Sequence, residues 1–234
     1  MNKVSKNVYK IILLLLFIMK ITDLKLAEFF KQYYAKFTTL TPIQEKAVQG
    51  GLLEDKSLLI CAPTASGKTL IATMSIVNTL EKGNKAIYLV PLKALANEKY
   101  REFKQLLEGT KYKTMISTGE IDSDSGYLAN YDLLILTTEK LDSLLRHKVS
   151  WISEVKCVVI DEIHLLNDST RGPTLEIIIT LLKELIQPQL IGLSATIGNP
   201  KELADWLEAD LVIDDWRPVE LKKGIHFADK TEFY

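Results

Sequence analysis

The sequence predicts an α/β fold, a doubly wound and mostly parallel sheet of about seven strands with helices on both faces. Two observations predict it. From residue 57 onwards, short runs rich in leucine and β-branched residues alternate with longer stretches of helical periodicity. The short runs are apolar almost throughout, which is typical of strands that are covered on both faces in a parallel sheet.

Seven runs are the predicted strands, and helical patterns lie between most of them. The strands are 57–61, 86–90, 113–117, 132–136, 155–160, 190–193 and 211–213. The clearest helical patterns are 92–107, 139–146, 174–186 and 201–207. Pro91, Pro173 and Pro200 stand at or near the starts of three of these helices. Proline is tolerated there because the first N–H groups of a helix have no partner within it.

The chain of 234 residues has room for one large domain or two small ones. No internal repeat, low-complexity tract or long linker divides it, so we predict one α/β domain after a helical lead-in.

Near the amino terminus, nine apolar residues at 11–19 follow Lys3, Lys6 and Lys10. A helix needs roughly 20 such residues to span a bilayer. The run is therefore an export signal, a membrane-surface anchor or translated sequence upstream of a true start at Met19, and we favour the third.

The composition is that of an ordinary globular protein, with 47% hydrophobic and 25% charged residues. A formal charge of -1, from 29 basic and 30 acidic residues, argues against a nucleic-acid binder held by bulk positive charge. A local basic groove is still compatible with this balance. Cys61 and Cys157 lie in apolar strands, and the histidines are scattered. We therefore predict no structural metal, no disulfide and a reducing, cytoplasmic location, without a membrane partner.

The sequence APTASGKT at 62–69 follows a predicted strand and begins a helical pattern. A phosphate-binding loop has this strand–loop–helix context, because backbone N–H groups at a helix N-terminus can face phosphates. Lys68 is expected to neutralise the β- and γ-phosphates of ATP, and Thr69 to bind Mg²⁺. The strict pattern has glycine at its first position, where this chain has Ala62. The predicted ATP-binding residues of the loop are Ala62, Pro63, Thr64, Ala65, Ser66, Gly67, Lys68 and Thr69.

A pair of acidic residues, Asp161 and Glu162, comes directly after the strand 155–160. Alone, the pair could be an exposed acidic turn. Together with Lys68 it predicts a catalytic nucleotide site, in which Asp161 holds Mg²⁺ through water and Glu162 activates the attacking water. His164 is expected either to couple this site to its neighbours or to cap the turn.

Several segments resemble, in order, the motifs of superfamily two helicases. They are TPIQEKA (41–47), APTASGKT (62–69), PLKALANEK (91–99), STGE (117–120), TTEKLDSLLR (137–146), DEIHLL (161–166) and SAT (194–196). Four further segments identify the group within this superfamily that the chain resembles most. They are DEIH in place of DEAD, STRGPTLE (169–176), IGNPKELADWL (197–207) and DWRPVEL (215–221). Over about 19–225, the chain resembles the archaeal superkiller-like DNA helicases that process stalled forks, which are related to the helicase region of polymerase theta.

This resemblance implies a RecA-like, ATP-binding helicase domain at 57–220, the first of two motor domains in such enzymes. It implies an ATP-dependent 3′–5′ DNA helicase that acts in fork repair or recombination. Gln44, in the lead-in at 19–56, resembles the glutamine that reads adenine, whose edge an amide can match as both donor and acceptor. Ser194 and Thr196 resemble the motif that links hydrolysis to strand movement.

A nucleic-acid face is expected where the loops after strands 86–90, 113–117 and 132–136 meet at one edge of the sheet. Hydroxyls, lysines and helix N-termini at this edge can contact phosphates without reading sequence. The expected partner is single-stranded or branched DNA. The predicted contacts are Pro91, Lys93, Ala94, Thr118, Gly119, Thr138 and Lys140, with Arg171 and Gly172 as further candidates.

Helicases of this type hydrolyse ATP between two RecA-like domains, and the second supplies arginines. None of the four arginines of this chain lies in the family's QxxGRxGR pattern. We therefore expect residues 1–18 to be an extension, 221–234 to begin a link, and a second RecA-like polypeptide or C-terminal half to complete the motor. The chain is then a fragment, a truncated gene product or one piece of a split helicase.

Two alternative functions are compatible with the sequence. One is a non-catalytic nucleic-acid-binding or regulatory module that binds ATP without turnover, and the other is a relative of RNA helicases.

Overall fold

The computed structural model describes residues 19–119, 126–219, 222, 224–227 and 230–233. The predicted extension at 1–18 and parts of the predicted link at 221–234 lie outside the described residues. The strands are β1 (Leu58–Cys61), β2 (Lys85–Val90), β3 (Thr114–Ser117), β4 (Leu133–Thr137), β5 (Val155–Ile160), β6 (Gln189–Ser194), β7 (Asp210–Ile213), β8 (Gly224–Phe227) and β9 (Lys230–Phe233). The α-helices are α1 (Glu28–Tyr33), α2 (Pro42–Gln49), α3 (Lys68–Glu81), α4 (Lys93–Leu106), α5 (Thr138–Arg146), α6 (Gly172–Leu185) and α7 (Pro200–Leu207).

Seven strands form one sheet in the spatial order β3-β4-β2-β5-β6-β1-β7. Every pairing in it is parallel, so the predicted α/β fold and its seven strands are confirmed. β8 and β9 form a separate antiparallel pair within the stretch that we expected to begin a link.

Both faces of the sheet are buried, which explains why the strands lack polar alternation. Leu58 and Ile60 of β1 pack with α2, α3 and α4 in one apolar cluster. Leu59 and Cys61, whose side chains point to the opposite face, pack with α5, α6 and α7 in a second cluster. Helices on both faces make the fold doubly wound. Within the described parts of the chain, no helix combines the length and apolar character that crossing a bilayer requires.

In a parallel sheet the carboxyl ends of all strands meet at one edge. The segments after β1, β5 and β6 therefore meet near the sheet's centre, and those after β2, β3 and β4 lie on one side of them. This arrangement places the predicted nucleotide residues beside the predicted nucleic-acid residues.

Candidate nucleotide and nucleic-acid site

The loop at 62–69 joins β1 to α3, as its sequence predicts. Ala65 and Gly67 adopt left-handed backbone conformations, with φ of 67° and 96°. At Gly67 this φ disfavours any side chain, and a Cβ atom would also displace the side-chain amide of Gln44. The loop therefore turns sharply before the first residue of α3, Lys68.

The side chain of Lys68 folds back onto the start of this loop. Its Nζ donates hydrogen bonds to the carbonyl oxygens of Ala62, at 2.7 Å, and Pro63, at 3.0 Å. Burial lowers the pKa of Lys68, and the nearby carboxylates of Glu162 and Asp161 oppose that effect. The ammonium group thus lies between the loop and the acidic pair that follows β5.

Asp161 is held by two donors. The Tyr88 hydroxyl donates to Oδ2 at 2.9 Å, and the Glu162 backbone N–H donates to Oδ1 at 3.0 Å. Burial, followed by the negative charge of Asp161, raises the pKa of Tyr88 well above its usual value, so Tyr88 stays a donor. These contacts fix the direction in which Asp161 can bind a cation.

Glu162 is less constrained than its neighbour. Its backbone is left-handed, with φ of 53°, and its side chain is 44% exposed. One carboxylate oxygen, Oε2, lies 3.3 Å from Nδ1 of His164. A carboxylate that faces solvent beside Lys68 can accept a proton from water. The predicted roles of Glu162 in catalysis and of His164 in coupling stay predictions.

Ser194 connects the two halves of the site, because β6 lies between β1 and β5 in the sheet. Its carbonyl oxygen accepts a hydrogen bond from the Ala62 N–H at 3.2 Å. The Ser194 side chain is fully buried, whereas Thr196, two residues further on, is exposed. Ser194 is therefore in direct contact with the start of the phosphate loop. The coupling role of Ser194 and Thr196 stays a prediction.

The polar groups at this edge fit a polyphosphate with a divalent cation. The hydroxyl oxygen of Ser66, in the phosphate loop, is buried and has no hydrogen-bond partner among the described residues. Buried hydroxyls are nearly always paired, so an unpaired one in this loop indicates room for a ligand that accepts hydrogen bonds. Lys68 could hold phosphate oxygens, and Thr69 with Asp161 could hold Mg²⁺.

Gln44 joins the lead-in to the phosphate loop. Its side chain is 4% exposed, and its Nε2 donates to the carbonyl oxygen of Gly67 at 3.0 Å. Its Oε1 accepts from the Thr41 backbone N–H at 2.9 Å, and the Thr41 hydroxyl donates to the carbonyl oxygen of Ser66 at 2.9 Å. Both ends of the amide are thus engaged by backbone groups, and adenine reading by Gln44 stays a prediction.

A cavity of about 560 Å³ lies beside Gln44 and the loop. That volume is in the range of sites for ligands of nucleotide size. Aromatic side chains and residues of the phosphate loop share its lining, which includes Tyr33, Tyr34, Phe37, Gln44, Ala65, Gly67, Thr69 and Trp216.

The predicted nucleic-acid loops meet at a cleft of about 550 Å³ beside the nucleotide site. Residues from all three loops line it, together with Arg171: Pro91, Leu92, Lys93, Thr118, Thr137, Glu139 and Arg171. Ala94 and Gly119 are exposed next to these residues. A smaller cleft joins Thr138 and Arg171 to Asp161 and Glu162. Arg171 therefore borders both the acidic pair and the predicted DNA cleft.

Lys140 does not belong to this surface, which corrects one predicted contact. It is 0% exposed in α5, on the same side as Leu141 and Leu144. The amphipathic helix turns this position towards the sheet, so the ammonium group does not reach a DNA backbone in this structure. From sequence, a lysine after TTE looked like a surface charge at the start of a helix.

Several residues at this edge carry no sequence signal of their own. Tyr88 was counted as part of an apolar strand, although its hydroxyl is the polar group that fixes Asp161. Leu92 and Glu139 stand next to predicted contacts and line the same cleft. Trp216 lies far from the loop in sequence, so no local pattern could connect it with the cavity.

The turn that carries Arg171 is closely packed at Gly172. A Cβ atom there would lie 2.9 Å from the carbonyl carbon of Leu166 and would collide with its oxygen. Gly172→Ala is expected to lower the free energy of unfolding by about 1–3 kcal/mol, as overpacking does. Urea denaturation measures this, with Gly198→Ala as the control, because a Cβ atom at Gly198 meets nothing within 4 Å. Equal midpoints for the two variants would contradict the packing argument.

A model of the DEAD/DEAH box helicase family matches residues 41–203. The chain belongs to this family. The match begins at the TPIQ segment and includes the phosphate loop, the acidic pair and Ser194. The expected resemblance to superfamily two helicases is thereby confirmed, and ATP is the nucleotide that the family implies.

Curated relatives of this DEAD/DEAH box helicase domain are much longer than the chain. It is 57% identical over 201 residues to the ATP-dependent DNA helicase Hel308 of Methanocaldococcus jannaschii, covering 83% of the chain and 17% of that protein. It is 52% identical over 212 residues to Hel308 of Pyrococcus abyssi, covering 89% of the chain and 29% of that protein. The chain therefore spans less than a third of the length of either relative.

Solved helicase structures share the fold of this DEAD/DEAH box domain. The DUF1998 helicase MrfA bound to DNA superposes with a TM-score of 0.71 at 28% identity, over 81% of this chain and 30% of that one. MrfA bound to DNA and AMPPNP superposes with a TM-score of 0.72 at 27% identity, over 85% of this chain and 30% of that one. The RecA-like assignment of the sheet is confirmed by this match.

Proposed function

We propose that the chain is the ATP-binding motor domain of an ATP-dependent DNA helicase that moves 3′–5′ in replication-fork repair or recombination. The observation that carries the proposal is the meeting of Lys68, Asp161, Glu162 and Ser194 at one sheet edge, directly beside a cleft formed by the predicted DNA loops. The names of the Hel308 relatives support ATP-dependent action on DNA. Polarity and repair role rest on the family resemblance, and cytoplasmic action is part of the same proposal.

Each residue of the nucleotide site has a separate task in this proposal. Lys68 holds the β- and γ-phosphate oxygens. Thr69 and Asp161 would hold Mg²⁺, which would supply positive charge beside the phosphate chain. Tyr88 keeps Asp161 pointed at the cation. Glu162 accepts a proton from the attacking water, because its side chain is 44% exposed, whereas both carboxylate oxygens of Asp161 already accept hydrogen bonds.

On the DNA side, the contacts are to the backbone rather than to bases. Lys93, Thr118 and the N-terminus of α5 bring an ammonium group, a hydroxyl and backbone N–H groups to one cleft. Such groups position a strand without reading its sequence. Arg171 borders both this cleft and the acidic pair. DNA that contacts Arg171 would therefore change the surroundings of Glu162.

Lys68→Ala is expected to weaken Mg-ATP binding by about 1–3 kcal/mol, the scale of a hydrogen bond to a charged group. The variant removes the cation that faces the phosphates and leaves the loop backbone in place. Calorimetric titration of the chain with Mg-ATP measures the difference. Lys201→Ala is the matched control, since Lys201 is an exposed lysine on α7. Equal affinities for all three proteins would remove the basis for the nucleotide site.

A further inference from the structure

A cleft of about 470 Å³ lies where the second half of α4 meets the start of β3. We call it the tyrosine cleft, because three aromatic rings and three cations line it: Tyr100, Tyr112, Tyr131, Arg101, Lys104 and Lys113. One carboxylate, that of Glu108, also belongs to the lining. The lining therefore carries a charge of +2, in a chain whose formal charge is -1.

The cations of the tyrosine cleft are available to a ligand. Arg101, Lys104 and Lys113 are exposed, and none of them forms an ion pair with a carboxylate of the described residues. Lys99 of the same helix differs, because its Nζ lies 3.0 Å from Oε2 of Glu102. Positive charge without an internal partner suits an anionic ligand.

The three tyrosines of this cleft are half-buried, and neighbouring side chains hold two of the rings. Lys104 Nζ lies 5.9 Å from the centroid of the Tyr100 ring. The Tyr112 ring packs against Phe29, with ring centroids 5.9 Å apart. Aromatic rings beside cations are typical of surfaces that bind single-stranded nucleic acid, because bases stack on the rings while phosphates are attracted to the cations.

The tyrosine cleft and the predicted DNA cleft lie at opposite ends of the same two elements. Lys93 begins α4 and Thr118 follows β3, and both line the DNA cleft, whereas Lys104 and Lys113 line the tyrosine cleft. A helix rises about 1.5 Å per residue, so about 16 Å of α4 separates Lys93 from Lys104. A stacked strand advances about 3.4 Å per nucleotide, and about five nucleotides cover this distance.

One exposed face of α4 connects the two clefts. Lys93, Asn97 and Arg101 follow one another at intervals of four residues, so their side chains are neighbours on the helix surface. The side-chain amide of Asn97 donates to the carbonyl oxygen of Lys93 at 2.9 Å, and Arg101 Nε donates to that of Asn97 at 3.3 Å. All three residues are exposed, and this face carries no acidic residue between Lys93 and Arg101.

We propose that the tyrosine cleft is a second binding surface for the DNA strand that occupies the DNA cleft. The strand follows the exposed face of α4, its phosphates contact Arg101, Lys104 and Lys113, and its bases stack on the tyrosines. This deepens the proposed function, since it rests on DNA binding at the cleft of Lys93. An acidic polypeptide would match the cations alone, whereas the rings and the continuous face of α4 favour a strand that has both phosphates and bases.

The test measures fluorescence anisotropy of labelled oligothymidylates of about 6 and about 15 nucleotides, of which only the longer can reach both clefts. Arg101→Gln/Lys104→Gln is expected to weaken binding of the longer strand about 10-fold. The slope of log affinity against log salt should become shallower by about 1.4, because each lost phosphate contact of a single strand contributes about 0.7. The shorter strand should lose much less affinity, since the DNA cleft still binds it.

The stacking of bases is tested with an abasic strand of the longer length. It should bind the wild-type chain at least about 5-fold more weakly than oligothymidylate does. In Tyr100→Leu, which keeps an apolar and helix-favouring side chain, this difference should shrink. Equal affinities of the two strands for the wild-type chain, or equally strong competition by an oligoglutamate peptide, would mean that the cleft recognises charge alone and would overturn the proposal.

Two further variants separate this inference from the proposed function. Lys156→Gln/Lys201→Gln removes two exposed lysines, from β5 and α7, and should leave every affinity close to wild type. An equal loss in both double variants would assign the effect to net charge and overturn the tyrosine cleft. Wild-type affinity in Arg101→Gln/Lys104→Gln, with weakened binding in Lys93→Gln, overturns the tyrosine cleft alone. Absence of binding by the wild-type chain, or unchanged binding of both strands in Lys93→Gln, overturns the DNA cleft of the proposed function.

Discussion

Glu162→Gln is expected to stop ATP hydrolysis while ATP still binds. The substitution keeps the size and hydrogen-bonding capacity of the side chain but removes the group that accepts the proton from water. General-base steps are typically worth about 10²- to 10⁴-fold in rate, and turnover should fall by that factor. The measurement is DNA-stimulated phosphate release in the presence of a polypeptide with a second RecA-like domain. Calorimetry on the same variant should give an ATP affinity close to wild type.

Glu108→Gln is the matched control for this prediction. Glu108 is an exposed glutamate just beyond the end of α4, at the opposite end of that helix from the nucleotide edge, and its loss should change neither the ATP affinity nor the rate at saturating DNA. Full turnover by Glu162→Gln would show that another group activates the water. Asp161 is a poor substitute, because both of its carboxylate oxygens accept hydrogen bonds, from Tyr88 and from the Glu162 backbone.

The fold could be predicted from sequence because its signals are local. Each strand is a run such as 86–90 that is apolar at nearly every position, and only a sheet covered on both faces buries such a run. The phosphate loop is equally local: strand, turn, Gly67 and helix follow one another within a few residues. The observed ends of the helices and strands differ from the predicted ends by about one residue, as expected where helix and strand ends fray.

What sequence could not supply are contacts between elements that lie far apart in the chain. The Tyr88 hydroxyl reaches Asp161 only because β2 and β5 are neighbours, and a tyrosine in an apolar strand otherwise reads as core. Lys140 was assigned to the surface by its charge, while the amphipathic phase of α5 buries it. Trp216 reaches the cavity through the pairing of β7 with β1, the outermost pairing on that side of the sheet.

The chain alone is expected to hydrolyse ATP close to the background rate, even with DNA. Among the described residues, Lys68 is the only cation that donates a hydrogen bond to the phosphate loop, and no arginine does so. An arginine finger stabilises charge on the transferring phosphate and raises kcat about 10³- to 10⁵-fold in related reactions. The family resemblance assigns such arginines to a second RecA-like domain. Phosphate release by highly purified chain, with and without single-stranded DNA, measures the starting rate.

Adding a polypeptide that contains the QxxGRxGR pattern of a second RecA-like domain should then restore DNA-stimulated hydrolysis. The rate should saturate with the concentration of the added polypeptide, because the two domains must associate to form the site. A version with both arginines of QxxGRxGR changed to alanine should bind but not activate. DNA-stimulated turnover by the chain alone, abolished by Lys68→Ala, would instead place the arginine within this chain or a second copy of it. Arg171, which borders the acidic pair, and Arg217 are the first residues to change in that case.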